Sequence, residues 1–154
     1  MAQLKEGDVA PDFSLSDQND RVVKLSDFKG KKVMIYFYPK AETSGCTKQA
    51  CNVRDAAPDF VRLNVTAVGI SPDKPSKQKK FDEKYQLGFP LLSDSDNTVA
   101  KTYHAWGEKK MYGKTYEGII RSAFLIDENG KILQAWYKIS PADTAPYIIK
   151  ALSA

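Results

Sequence analysis

Two blocks of apolar residues stand out from an otherwise mixed chain. Residues 32–38 place Val33, Met34, Ile35, Tyr36, Phe37 and Tyr38 in unbroken succession, and residues 65–71 carry Val65, Ala67, Val68 and Ile70. Runs this short, rich in β-branched and aromatic side chains, fit buried strands. Pro39 stops the first of them. Between the two, residues 45–63 are helical in composition, with Pro58 marking a break or a second start. Strand, helix and strand in this order make one crossover unit, which implies a parallel pair.

The pattern continues with a helix over 74–85, a short strand over 90–93 and a helical stretch over 97–104. The chain then changes character. Residues 119–126 and 131–137 are strand-like, separated by the turn signal Asp127-Glu128-Asn129-Gly130, and a last helix covers 141–152. A short segment at 22–25 and the turn-rich run 26–30 precede the core. A parallel half joined to an antiparallel hairpin and a terminal helix predicts an α/β, thioredoxin-like fold, with a central mixed β-sheet flanked by helices. No repeat or linker interrupts the chain, which predicts a single domain over residues 1–154.

Composition narrows the function. The 154 residues are 42% hydrophobic and 27% charged, enough for one substantial core. The formal charge of +4 comes from scattered side chains, with only short basic stretches such as the one at Lys77, Lys79 and Lys80. This argues against nucleic acid as a partner. No run reaches the roughly 18 apolar residues of a membrane span, and the first residues lack the apolar core of a secretory signal. The expected address is the cytoplasm, with no membrane partner.

Cys46 and Cys51 are the only cysteines. Two thiols five positions apart cannot supply a disulfide framework, so their shared purpose is chemical. Cys46 lies just past a strand, beside Gly45 and three residues after Thr43, where a helix begins. Helix N-termini stabilise thiolates.

The segment resembles the peroxiredoxin signature Pro-x-x-x-Thr-x-x-Cys, here Pro39, Thr43 and Cys46. The opening run from Gly7 to Phe13 and the arginine-bearing run from Gly118 to Asp127 are similar to segments of the same family. The spacing of Gly45, Cys46, Thr47 and Cys51 resembles the bacterioferritin-comigratory protein or peroxiredoxin Q group. That resemblance implies a thiol peroxidase acting on hydrogen peroxide and organic hydroperoxides, with Cys46 as the peroxidatic thiolate and Cys51 as the resolving thiol. It implies supporting roles for Pro39, Thr43 and Arg121, recycling by thioredoxin or a similar dithiol, and no metal or organic cofactor. A resolving thiol in the same chain permits a monomer. The family commonly has proline where this chain has Ser44.

Physical chemistry adds two expectations. Charge grows on the departing oxygen as the O–O bond breaks, so donors must surround it. The Arg121 guanidinium, the Thr43 hydroxyl and first-turn N–H groups are the candidates. Residues five apart in an unbroken helix also hold their Cα atoms about 8 to 9 Å apart. A disulfide needs less than about 7 Å, so pairing Cys46 with Cys51 requires local unwinding.

Blander readings stand beside these. Thr43 is equally an N-cap, Pro39 a strand stop, Cys51 a buried apolar residue, and Arg121 half of a salt bridge. Gln49 either supports Arg121 or faces water. His104 reads as surface, and Trp106, Tyr112, Tyr116 and Trp136 either rim an entrance or cover core. A thiol:disulfide reductase is the competing enzyme, although its chemistry favours a two-residue cysteine spacing. A zinc module has too few ligands at motif spacing.

Overall fold

The computed structural model describes residues 3–153. Strands β1 (Ser14–Ser16) and β2 (Val22–Lys24) form an antiparallel pair at one edge, and β3 (Lys32–Phe37) follows. Helices α1 (Ser44–Asp55) and α2 (Ala57–Arg62) lead to β4 (Val65–Ser71). Then come α3 (Pro75–Tyr85), β5 (Leu91–Ser93) and α4 (Thr98–Thr102). A separate ribbon of β6 (Trp106–Met111) and β7 (Lys114–Ile119) precedes β8 (Ser122–Ile126) and β9 (Ile132–Trp136). A 3-10 turn, Pro141–Asp143, runs into α5 (Thr144–Ser153). No helix among the described residues is long and apolar enough to cross a membrane.

The main sheet has the order β2-β1-β5-β4-β3-β8-β9. Strand β3 is parallel to β4, and β4 to β5, as the crossover predicts, while β8 pairs with β3 antiparallel. Both faces of β3 are covered, which is why its apolar run is continuous rather than alternating. Met34 and Tyr36 join a core with Cys46, Ala50 and Val53 of α1 and Ile148 of α5. Val33, Ile35 and Phe37 point the other way, into a core with Phe13, Tyr103 and Phe124. Gly69 of β4 stands opposite Tyr36 of β3. A Cβ there would sit 3.0 Å from the Tyr36 hydroxyl, so only glycine lets the ring lie across it.

Most predicted elements are present, two differ, and one pair of strands is additional. The expected strand over 119–126 is broken at Ile120 and Arg121, because the chain leaves the ribbon and enters the main sheet there. The Ile120 N–H donates to Ala105 O, and Ile139 N–H donates to Arg121 O. The ribbon itself was not anticipated; its turn, Tyr112-Gly113, has φ of 52° and 77°, the paired positive values of a tight two-residue hairpin. The helix expected over 97–104 stops at Thr102, and His104 takes a left-handed φ of 59°. Pro58 sits in the first turn of α2, so the predicted break falls just before it, at Ala56.

Candidate active site

Strand β3 delivers the chain to the site, and a loop tied down at several points carries it into α1. Tyr38 N–H donates to Ile70 O at 3.0 Å, extending the β3–β4 pairing by one residue before the half-buried Pro39. Ala41 is buried, and its N–H donates to a carboxylate oxygen of Asp73 at 2.7 Å. The Ser71 hydroxyl donates to the same oxygen at 2.7 Å, and Lys77 pairs with the other at 3.6 Å. Asp73 was not recognised in the sequence; a lone aspartate in a Ser-Pro-Asp-Lys-Pro loop carries no mark of its anchoring role. Beneath the loop the Tyr38 hydroxyl donates to Gln78 Oε1, and Gln78 Nε2–H donates to Ser71 Oγ at 2.9 Å and Leu92 O at 3.0 Å. Burial pushes the Tyr38 phenol far up and keeps it neutral, even though the polar groups of Ser71 and Gln78 beside it pull the other way.

Thr43 occupies the N-cap position of α1 with extended φ and ψ, yet makes no side-chain cap. Its exposed hydroxyl donates instead to Lys40 O at 2.9 Å, which corrects the expectation of a donor to the departing oxygen, because its single proton is engaged. The first-turn N–H groups are therefore not consumed by a capping side chain, and the positive end of the helix faces the thiol's surroundings. Ser44 is the first residue of α1, where a hydroxyl residue is compatible with a helix start.

Cys46 is the third residue of α1 and is 1% exposed; Cys51, on the same helix, is half-buried, and both are free thiols. The loop between β7 and β8 brings Arg121 across 75 residues of sequence, with Nη2 at 3.4 Å from Cys46 Sγ. Its Nη1–H donates to Gln49 Oε1 at 2.6 Å. Gln49 is fully buried, one turn after Cys46, so of its two readings the supporting one is the observed one. Gly45 leaves the guanidinium room, since a Cβ would lie 3.3 Å from Arg121 Nη2, close enough to displace it by a few tenths of an ångström, and 3.8 Å from Pro141 Cγ. Lys109 of the ribbon is a second cation in this field. Burial and then Arg121 depress its pKa, while the negative charge of a Cys46 thiolate opposes them.

The structure thus gathers Cys46, Arg121 and Gln49 in direct contact and sets Pro39 and Thr43 in the loop leading to them. The aromatics do not assemble into a rim. Trp136 and Trp106 pack against the two cores, Tyr112 is 97% exposed at the ribbon turn, and Tyr116 lies beside Lys109. An apolar hollow lined by Val9, Leu25, Phe28 and Val33 lies at the far end of β3 from the thiol.

Comparison with known proteins agrees with this geometry. The AhpC/TSA family matches residues 7–135. The chain is 53% identical over 132 residues to peroxiredoxin Bcp of Escherichia coli K12, covering 86% of this chain and 85% of that protein. Peroxidoxin BcpB of Mycobacterium tuberculosis superposes with a TM-score of 0.87 at 36% identity, over 98% of this chain and 97% of that one. The bacterioferritin comigratory protein of Xanthomonas campestris, whose structures address its alkyl peroxide reduction activity, superposes at 0.86 with 33% identity, over 92% and 90%. With the fold, the thiol and these relatives in agreement, the chain belongs to the AhpC/TSA family, within its Bcp and peroxiredoxin Q group of thiol-dependent peroxidases.

Proposed function

We propose that Cys46 is the attacking thiolate, Cys51 the resolving thiol, and Arg121, Thr43 and Pro39 the groups that support them. The observation that carries this reading is the Arg121 guanidinium 3.4 Å from Cys46 Sγ at an uncapped helix start. The thiolate attacks one peroxide oxygen, the O–O bond breaks, and the other oxygen leaves as alkoxide or hydroxide and takes a proton. Cys46 becomes a sulfenic acid. Arg121 and the first-turn N–H groups stabilise charge on both the sulfur and the leaving oxygen, fixed in place before reaction. The Thr43 hydroxyl, whose proton is directed at Lys40 O, offers its lone pairs to the peroxide's own proton. Pro39 covers the approach and limits water at the sulfur.

The Cys51 thiolate then attacks the sulfenic sulfur, forming the disulfide and expelling the sulfenic oxygen as hydroxide, which takes a proton from solvent to leave as water. Both cysteines lie within α1, so the helix must open for their sulfurs to meet. A dithiol such as thioredoxin reduces the disulfide and takes up the two oxidising equivalents. Hydrogen peroxide and alkyl hydroperoxides are the substrates, the latter by analogy with the Xanthomonas relative. With attacking and resolving thiols in one chain, a monomer is catalytically complete.

Peroxide consumption with thioredoxin, its reductase and a nicotinamide reductant tests this reading. Wild type turns over, Cys46→Ser does not, and Cys51→Ser stops after about one equivalent. Turnover by Cys46→Ser, or rapid reduction of insulin disulfides with no peroxide consumption, would assign the site to other chemistry.

A further inference from the structure

We propose that Thr144 is a positioning residue that sets the donor–acceptor polarity of the Gln49 amide and so holds Arg121 in register with Cys46. The inference rests on the reading of the site given above. The Thr144 hydroxyl has one proton and two lone pairs. It donates that proton to Ser140 O at 3.0 Å, so toward Gln49 it only accepts, taking the Nε2–H at 2.8 Å. The other end of the amide, Oε1, is thereby turned to Arg121 Nη1 at 2.6 Å.

The reversed amide would set an NH2 group against the guanidinium, donor facing donor, and leave Oε1 against a hydroxyl whose proton is engaged elsewhere. Gln49 and Thr144 are both 0% exposed, so bulk water is not at hand to repair either mismatch. The orientation of the Gln49 amide is decided 95 residues later, at the first residue of α5. The turn before α5 backs the same region, with Pro141 Cγ 3.8 Å from the place a Gly45 side chain would take. The terminal helix therefore supplies the directional cue, and the arginine receives it through Gln49.

The experiment is single-turnover oxidation of the reduced protein by excess hydrogen peroxide, with Thr144→Val and Thr144→Ser compared in the wild-type and Gln49→Glu backgrounds. A glutamate presents two acceptors, so it faces Arg121 without a cue, and the Thr144 hydroxyl turns its proton from Ser140 O to the second carboxylate oxygen. Thr144→Val is expected to slow sulfenic acid formation by about tenfold in the wild-type background, Thr144→Ser to stay within about twofold, and Thr144→Val to have little further effect in the Gln49→Glu background. The Gln49 side-chain amide protons, protected from solvent exchange in wild type, are expected to lose protection in Thr144→Val and keep it in Thr144→Ser. Should the valine variant fail to fold, Thr144→Ala is read the same way. Equal rates for Thr144→Val and wild type, or equal slowing in both backgrounds, overturn the proposal. The amide-proton signal needs no peroxide, so it tests Thr144 even if Cys46→Ser were to show that the reading of the site is wrong.

Discussion

Replacing Gln49 by alanine is expected to move the two half-reactions in opposite directions. In the closed helix Gln49 accepts from Arg121 at 2.6 Å and donates to Thr144 at 2.8 Å. The first bond is charge-assisted and contributes about 1.5–3 kcal/mol; the second, between neutral groups, contributes about 0.5–1.5 kcal/mol. Alanine's better helix propensity returns only a few tenths of a kcal/mol. Once α1 opens, Gln49 is in water and neither bond exists, so the substitution raises the closed state alone. Opening becomes easier by about 2–4 kcal/mol, which corresponds to disulfide formation roughly 30- to 900-fold faster where opening precedes chemistry. Peroxide attack needs Arg121 held in place and is expected to slow about tenfold. Rapid-quench alkylation and intact-mass analysis, after mixing reduced protein with excess peroxide, separates the sulfenic acid from the disulfide. A folded Gln49→Ala whose resolution rate matches or falls below wild type would refute the idea that opening of α1 gates the second step.

Arg121→Gln removes the donor beside the sulfur and is expected to lower kcat/KM for peroxide by about 10²- to 10³-fold, measured by stopped-flow; a loss under threefold would leave Arg121 no role in the transition state. Tyr36→Phe should raise stability by about 1 kcal/mol and the melting midpoint by about 2–4 °C in calorimetry, because the fully buried hydroxyl has no partner among the described residues. A drop in midpoint would show that the hydroxyl is satisfied. Asp94 is buried and its pKa is raised by that burial above the ordinary 3.8, although Ala100 and Val99 N–H groups bond to it. A raised carboxyl favours the protonated folded state, so its contribution is fully present below the unfolded value and lost as pH rises through the window up to the folded one. Asp94→Asn should therefore gain stability relative to wild type across that rise. Melting curves between about pH 3 and pH 7 check the sign.

The buried strands were legible because two-sided burial writes itself into the chain as continuous apolar runs, as at Met34 to Phe37 and Val65 to Ile70. The helix start at Cys46 was legible for a related reason: Pro39, Thr43 and Gly45 are residues whose backbone preferences mark a strand end and a helix beginning. The β6–β7 ribbon was not, since Glu108, Lys110, Lys114 and Glu117 are exposed and impose no alternation; only Tyr112-Gly113 marks the turn. Gln49 was ambiguous for a different cause. A glutamine on a helix is polar whether it faces water or a guanidinium, and its partners lie 72 and 95 residues away. Asp73 and Thr144 escaped notice on the same ground, because a hydrogen bond across the fold leaves no local trace.

The most direct test of the central claim is to add one equivalent of hydrogen peroxide to the reduced protein, count free thiols and map the product by mass spectrometry. Wild type should lose both thiols to a Cys46–Cys51 bridge, Cys51→Ser should stop at a sulfenic acid on Cys46, and Cys46→Ser should keep its remaining thiol. Retention of both thiols by the wild-type protein, or oxidation of Cys51 in the absence of Cys46, would contradict the account.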